Sequence, residues 1–287
     1  MAGAGLVAIK RRIKSISNTK KITKAMGLIA TSKLRKSRQQ VESNRAYFNS
    51  FNEVAAQVAQ GVTTKSIYVN GNNSDKSLYI AINSDTGLCG AFNGNVVSRT
   101  SEEIEKSKKD SSVMVVGQKG RLYFRRLKYN TVAEYVDISD EPTLKEAQMI
   151  ANHALDLYDK GEVGEVYAVY TEFVSTVKQT VTVKKLLPLE IKKQEKAESK
   201  VSPLIDFEPG IDGLLGDIVR LQLNQMMYNF LANSRASEQA SRMSAMDGAT
   251  KNANDLLDNL NLQYNRIRQS AITQEISEIV SGAEAQK

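Results

Sequence analysis

The spacing of apolar residues changes twice along the chain. At the start it is helical: Leu6, Ile9, Ile13 and Ile16 form a stripe, Met26, Ala30, Leu34 and Val41 continue it, and Phe48, Phe51, Val54, Ala55 and Val58 follow. Steps of three and four mark the seam of a coiled coil, and Lys20, Thr23 and Gly27 interrupt it. With no proline in the segment and Gly61 placed as a C-terminal cap, a helix is expected over about residues 6–60. Residues 61–75 are polar and carry Gly71, Asn72, Asn73 and Ser74, which reads as a connection.

The period then shortens. Ser77 to Asn83, Ser112 to Val116, Thr131 to Val136 and Glu165 to Thr171 are short β-branched runs, with helical patterns at about 92–108, 118–128 and 142–159 between them. Strands alternating with helices predict a mainly parallel sheet with both faces covered. Val174 to Pro188 alternates as a further half-exposed strand, expected to be antiparallel at an edge. Residues 192–200 are charged, and Pro203 and Pro209 precede the last segment.

From about Ile211 to Gly282 the helical pattern returns. Met243, Met246, Thr250, Ala253, Leu257, Leu260, Tyr264, Ile267 and Ala271 keep heptad spacing. Roughly 70 residues at about 1.5 Å each make a rod of about 100 Å, far beyond the helix length a globular domain requires. An α/β unit is therefore expected between two long, antiparallel helices of unequal length. The longer one should overhang by very roughly 25 Å. Its end, from about Arg266 to Lys287, still carries Ile272, Ile276, Ile279 and Val280, which something outside the chain must cover.

Charge changes this picture at one end. Residues 1–50 hold twelve Lys and Arg against the single acid Glu42, within a chain whose net charge is +7. Such an arm suits an acidic partner: nucleic acid, anionic lipid or an acidic protein surface. Bases would need aromatic platforms, however, and none precedes Tyr47. The lone Cys89 forms no internal disulfide and fits a reducing compartment. No apolar run approaches the roughly 18 residues of a membrane span, and no leader pattern precedes the first helix.

Candidate chemistry is sparse. The turn from Asn83 to Asn95 follows a strand and precedes a helix, a place where glycines can cradle phosphate, but it matches neither nucleotide-loop spacing. Tight turning with capping accounts for it. Asp85 could hold magnesium or cap the following helix, and capping is the commoner use. His153 is the only histidine, so it builds no metal cluster or triad, and Cys89 has no histidine near it in sequence. No catalytic residue, cofactor site or metal site is expected.

Three stretches carry a resemblance. Ile9 to Met26 (IKRRIKSISNTKKITKAM) continuing to Ser32–Arg35, Ser84 to Asn93 (SDTGLCGAFN), and Ser237-Glu238, Arg242–Met246 and Ala249-Thr250 with Tyr264 to Val280 are similar to the gamma subunit family of F-type ATP synthase, bacterial type. The resemblance covers essentially the whole chain. It implies an antiparallel coiled coil of the N- and C-terminal helices (1–60 and 211–287), a Rossmann-like α/β foot domain (75–190) and a linker (191–210). It implies a non-catalytic rotor shaft, the central stalk of F1, turning inside a ring of three alpha and three beta subunits. The foot would meet the epsilon subunit and the c-subunit ring. Mg-ATP and ADP would be held on partner subunits, with no cofactor and no nucleic acid on this chain. Position would be peripheral, at the cytoplasmic face of a bacterial cell membrane. By motif, Lys24, Met26 and Lys33 would lie near an acidic lever of the beta subunits, and Arg242, Arg268, Gln269, Thr273 and Glu275 would face the ring. Gly27 departs from the family, which usually has a larger residue there. Cys89 alone leaves no basis for thiol regulation of the chloroplast kind, and the missing transit segment disfavours mitochondria. A basic coiled-coil nucleic-acid binder and a small α/β nucleotide enzyme are the alternatives.

Overall fold

The computed structural model describes residues 2–61, 66–189 and 211–285. The expected linker at 191–210, with Pro203 and Pro209, and Lys287 lie outside the described residues. So do the side chains of Phe51, Val54, Ala55 and Val58. Helix α1 runs Ala2–Gly61 and so continues through the glycine expected to cap it. Part of the expected polar connection is a short helix, α2, at Ile67–Asn70. The alternation that follows is β1 (Ser77–Ile82), α3 (Phe92–Ser107), β2 (Ser111–Val116), α4 (Gln118–Arg126), β3 (Thr131–Tyr135), α5 (Leu144–Asp159), β4 (Glu165–Phe173) and β5 (Gln179–Leu187). Helix α6 closes the chain at Ile211–Glu284.

The strands form one sheet in the order β3-β2-β1-β4-β5. The first four are parallel, and β5 is antiparallel to β4, as its alternation predicted. Central β1 is buried along its whole length, which explains its continuous apolar run, whereas edge strand β3 alternates. On one face Leu78, Ile80, Met114 and Val116 meet Ile150, Ala154 and Tyr158 of α5, and Val219, Leu223, Met227 and Phe230 of α6. On the other, Tyr79, Ala81, Val113 and Val115 meet Val96 and Val97 of α3 and Phe124 of α4. Helix α5 begins with a capping box: Thr143 accepts from the Glu146 amide and Glu146 reaches back to the Thr143 amide at 2.7 Å.

The chain divides into two compact units, Met1–Ala30 with Arg242–Lys287, and Thr31–Ser241. In the first unit the two helices are antiparallel. Thr23 and Thr250 share a hydroxyl hydrogen bond of 2.8 Å, and a Cβ built on Gly27 would lie 3.5 Å from that of Met246. Four residues forward on α1 thus correspond to four back on α6. Leu6, Ile9, Ile13, Ile16, Lys20, Thr23, Gly27 and Ala30 are the covered row of α1, in unbroken steps of three and four. Lys20, Thr23 and Gly27 therefore occupy the seam rather than interrupting it. Register sets which positions face the partner, whatever their polarity. The expected row of α6 is covered at every position from Met243 to Ala271.

In the second unit Arg38 pairs with Glu42 along α1, while Gln225 of α6 donates to Asn44 of α1 at 2.7 Å. Helix α6 is buried at every position from Leu231 to Ala240.

Candidate partner surfaces and the buried Arg235 node

In a doubly wound sheet, ligands sit beyond the carboxyl ends of the strands where strand order reverses. Here that place lies between β1 and β4, where Ala81 stands opposite Val169. Helix α6 fills it. The Thr171 amide donates to Ser234 Oγ at 3.3 Å, Ser237 Oγ donates to the Thr171 carbonyl at 3.1 Å, and the Phe173 amide donates to Asn233 Oδ1 at 3.4 Å.

Beside these bonds, Arg235 of α6 is 7% exposed and meets three acceptors. One guanidinium nitrogen donates to Asp85 Oδ2 at 3.0 Å and also to the Ile138 carbonyl; the other donates to Glu238 Oε2 at 2.7 Å. Burial opposes the guanidinium charge, but the carboxylates of Glu238 and Asp85 outweigh it and push the pKa up. Asp85 Oδ1 accepts the amides of Gln118 and Asp137, each at 3.0 Å. The expected cap on the following helix is not made: α3 has no side-chain cap, and Asp85 instead accepts the first amide of α4.

The rest of the turn is internally bonded. Asn93 Oδ1 accepts the Ser84 amide at 2.9 Å, and Asn93 Nδ2 donates to Ser84 Oγ at 2.7 Å and Cys89 Sγ at 3.3 Å. Leu88 and Gly90 adopt positive φ of 62° and 59°, so the backbone curls in on Cys89, which is 2% exposed. His153 shares a 2.7 Å hydrogen bond with the Tyr135 hydroxyl. Among the described residues no group of three or more His, Cys, Asp or Glu could hold a metal ion.

The residues expected to meet partners are scattered. Lys24 is exposed and Met26 half-buried in the first unit. Arg268, Gln269, Thr273 and Glu275 are exposed toward the end of α6, where Thr273 Oγ1 donates only to the Gln269 carbonyl of its own helix. Arg242 differs from them at 7% exposure. Lys33 belongs to the second unit and pairs with Asp140 at 2.7 Å, next to a 3.0 Å pair of Lys36 and Glu141. Sequence reasoning missed Arg235. The one available signal was a pair of opposite charges three apart, Arg235 and Glu238, in the run of small and polar residues from Ala232 to Ala240.

The class follows from this arrangement: a helix-pair protein with an inserted, doubly wound α/β sheet whose ligand crevice its own C-terminal helix closes. A family model described as ATP synthase matches residues 5–286. The ATP synthase gamma chain of Clostridium acetobutylicum is 60% identical over 287 residues, covering all of both chains. That of Clostridium pasteurianum is 59% identical over 99% of each. The chain belongs to the ATP synthase gamma chain family. Solved structures share its fold. A chain of the Euglena gracilis mitochondrial ATP synthase OSCP/F1/c-ring assembly gives a TM-score of 0.71 at 16% identity, covering 99% of this chain and 95% of that one. The central stalk and c-ring structure of the Tetrahymena thermophila enzyme gives 0.61 at 24% identity, covering 79% and 99%.

Proposed function

We propose that this chain is the rotating shaft of its ATP synthase and carries no catalytic site of its own. The observation that bears most weight is the end of the helix pair. Continuing the register set by Thr23 and Thr250 brings the start of α1 level with Ala271, and every described residue beyond Ala271 is exposed. Yet Ile272, Ile276, Ile279 and Val280 are exposed by 47%, 56%, 72% and 51%. A row of large apolar residues on an unpaired helix needs a surrounding partner, and the sleeve of an alpha and beta subunit ring suits it. Ile22, Leu28 and Ile29 also point outward, between the basic residues of α1.

The working parts are then a coiled coil of residues 1–60 and 211–287, a foot domain of 75–190 and a linker of 191–210. Lys24, Met26, Lys33, Arg268, Gln269, Thr273 and Glu275 are the ring-facing residues. Arg242 belongs to the same proposed set, although it is 7% exposed in this chain. The foot takes the epsilon subunit and the c ring, and the complex holds the chain peripherally at the cytoplasmic membrane face. Among the described residues no helix is long and apolar enough to cross a membrane. A shaft without threefold symmetry offers each of three catalytic sites a different face, so turning it cycles their affinities for nucleotide. Exposed charge pairs, worth under about 1 kcal/mol each, guide such a rotor without gripping it. Occupation of the sheet's crevice by α6 supports the absence of a nucleotide site.

The test is reconstitution with alpha and beta subunits. The purified chain should hydrolyse no ATP yet confer coupled turnover on the complex; hydrolysis by the chain alone at rates like the complex would overturn the reading.

A further inference from the structure

Aliphatic packing holds α6 on the sheet but constrains its rotation less than directional contacts do. Of the residues that cover the sheet face, Val219, Leu223, Met226 and Met227 make non-directional contacts, two of them being flexible methionines, while Phe230 stacks on Tyr170 of β4 with ring centroids 4.2 Å apart. A shaft that carries torque must not roll on the domain that drives it. Directional contacts to β4 come from Ser234, Ser237 and Asn233, and the charged ones, which reach the other parallel strands, lie at Arg235. Its planar fork reaches an acceptor after β1 (Asp85), one after β3 (the Ile138 carbonyl) and one on its own helix (Glu238). Asp85 extends the tie to the first amide of α4 and to Asp137. One side chain of α6 is thereby bound to the loops at the carboxyl ends of β1, β2 and β3, while Ser234, Ser237 and Asn233 bind the end of β4.

The three charges are poorly hydrated: the side chains of Arg235, Asp85 and Glu238 are 9%, 14% and 3% exposed. Rolling α6 by one residue, about 100°, would part Arg235 from Asp85 and leave buried charges unpaired, an outcome far less favourable than sliding apolar surfaces past each other. From this we propose that Arg235 is a positioning residue that locks the rotation and axial register of α6 on the α/β sheet, so that torque passes between them without slip. The inference rests on the rotor reading above.

The test uses the whole complex reconstituted in ion-tight vesicles, with Arg235→Gln and with the paired apolar variant Arg235→Leu/Glu238→Leu. The paired change removes one charge of each sign and leaves Asp85 with the amides of Gln118 and Asp137. It deprives one buried carboxylate of the guanidinium where the single change deprives two, and so serves should the single change prevent assembly. Ions pumped per ATP hydrolysed should fall by at least about threefold while hydrolysis changes less. Arg235→Lys, with a point charge in place of a fork, should restore the ratio only in part. In the isolated chain, spin labels at Asp217→Cys and Lys108→Cys should give a broader distance distribution for both variants than for the parent. A wild-type pumping ratio in the paired variant overturns the inference, whether or not the distances broaden. Failure of the unmodified chain to support coupled turnover overturns the rotor reading instead, and the label distances then decide the register lock alone.

Discussion

At the scale of single residues, long-range polar ties decide what local pattern cannot. Glu165 receives Lys109 at 2.8 Å and Lys185 at 3.0 Å, joining the start of β4 to β5 and to the turn before β2. Burial would raise its pKa, but the two ammonium groups outweigh it and hold the carboxyl at about 2 against an ordinary 4.5. A depressed folded-state pKa stabilises fully above the ordinary value, and that stabilisation is lost as pH falls from about 4.5 toward 2. Glu165→Gln should cost about 1–2 kcal/mol at pH 7 after allowance for partial exposure. Urea unfolding at pH 7 and pH 3 checks this, because the gap between parent and variant should shrink at the lower pH. A second close fit lies at Gly120, where a Cβ would come 2.3 Å from Asn83 Oδ1. Asn83 is 4% exposed and donates to the Asn93 carbonyl, so it has no room to retreat. Gly120→Ala should therefore lose about 1–3 kcal/mol to overpacking, despite the better helix former. An unchanged thermal midpoint would contradict it. Arg235 was illegible in the sequence for a simple reason: its partner Asp85 is 150 positions away, and spacing rules reach only a turn or two.

At the scale of elements, the sequence was far more readable. Strand and helix positions between residues 77 and 187 follow from period and β-branching, and β5 was recognisable as an antiparallel edge because its Lys and Thr residues alternate with valine. Strand order was not readable, since β1 and β2 have equally apolar runs and only pairing separates centre from flank. The phase of the α1 seam through residues 20–27 is hidden in the sequence because polar and small residues there look like breaks. A seam position is defined by its place in the count of three and four, and Thr23 satisfies it by bonding Thr250. Gly27 gives the clearest prediction at this scale. Its built Cβ stands at an ordinary contact distance of 3.5 Å from Met246. Gly27→Ala should thus stabilise α1 by about 0.5–1 kcal/mol through backbone entropy. Calorimetry of the isolated chain would show a higher midpoint, and a lower one would mean that the seam needs the glycine's close approach.

At the scale of the whole molecule, stability should be divided as unevenly as burial. The sheet buries apolar side chains on both faces, whereas the helix pair of Met1–Ala30 and Arg242–Lys287 is joined by one row of largely half-covered positions. Past Ala271 even that row ends, and a helix of about thirteen residues without packing is marginal in water. The length mismatch behind this was visible in the sequence; what covers the overhang was not, because no described residue of this chain covers it. Amide exchange separates the two cases. In the isolated chain, residues 272–285 should exchange with little protection, while β1 and β4 should open only with global unfolding. On assembly with alpha and beta subunits, protection of 272–285 should rise by about tenfold or more, because a sleeve that buries Ile276 and Ile279 also removes their amides from water. Protection that stays low in the assembled, turning complex would mean that these apolar turns are not seated in the ring, and the rotor's bearing would have to be sought elsewhere on α6.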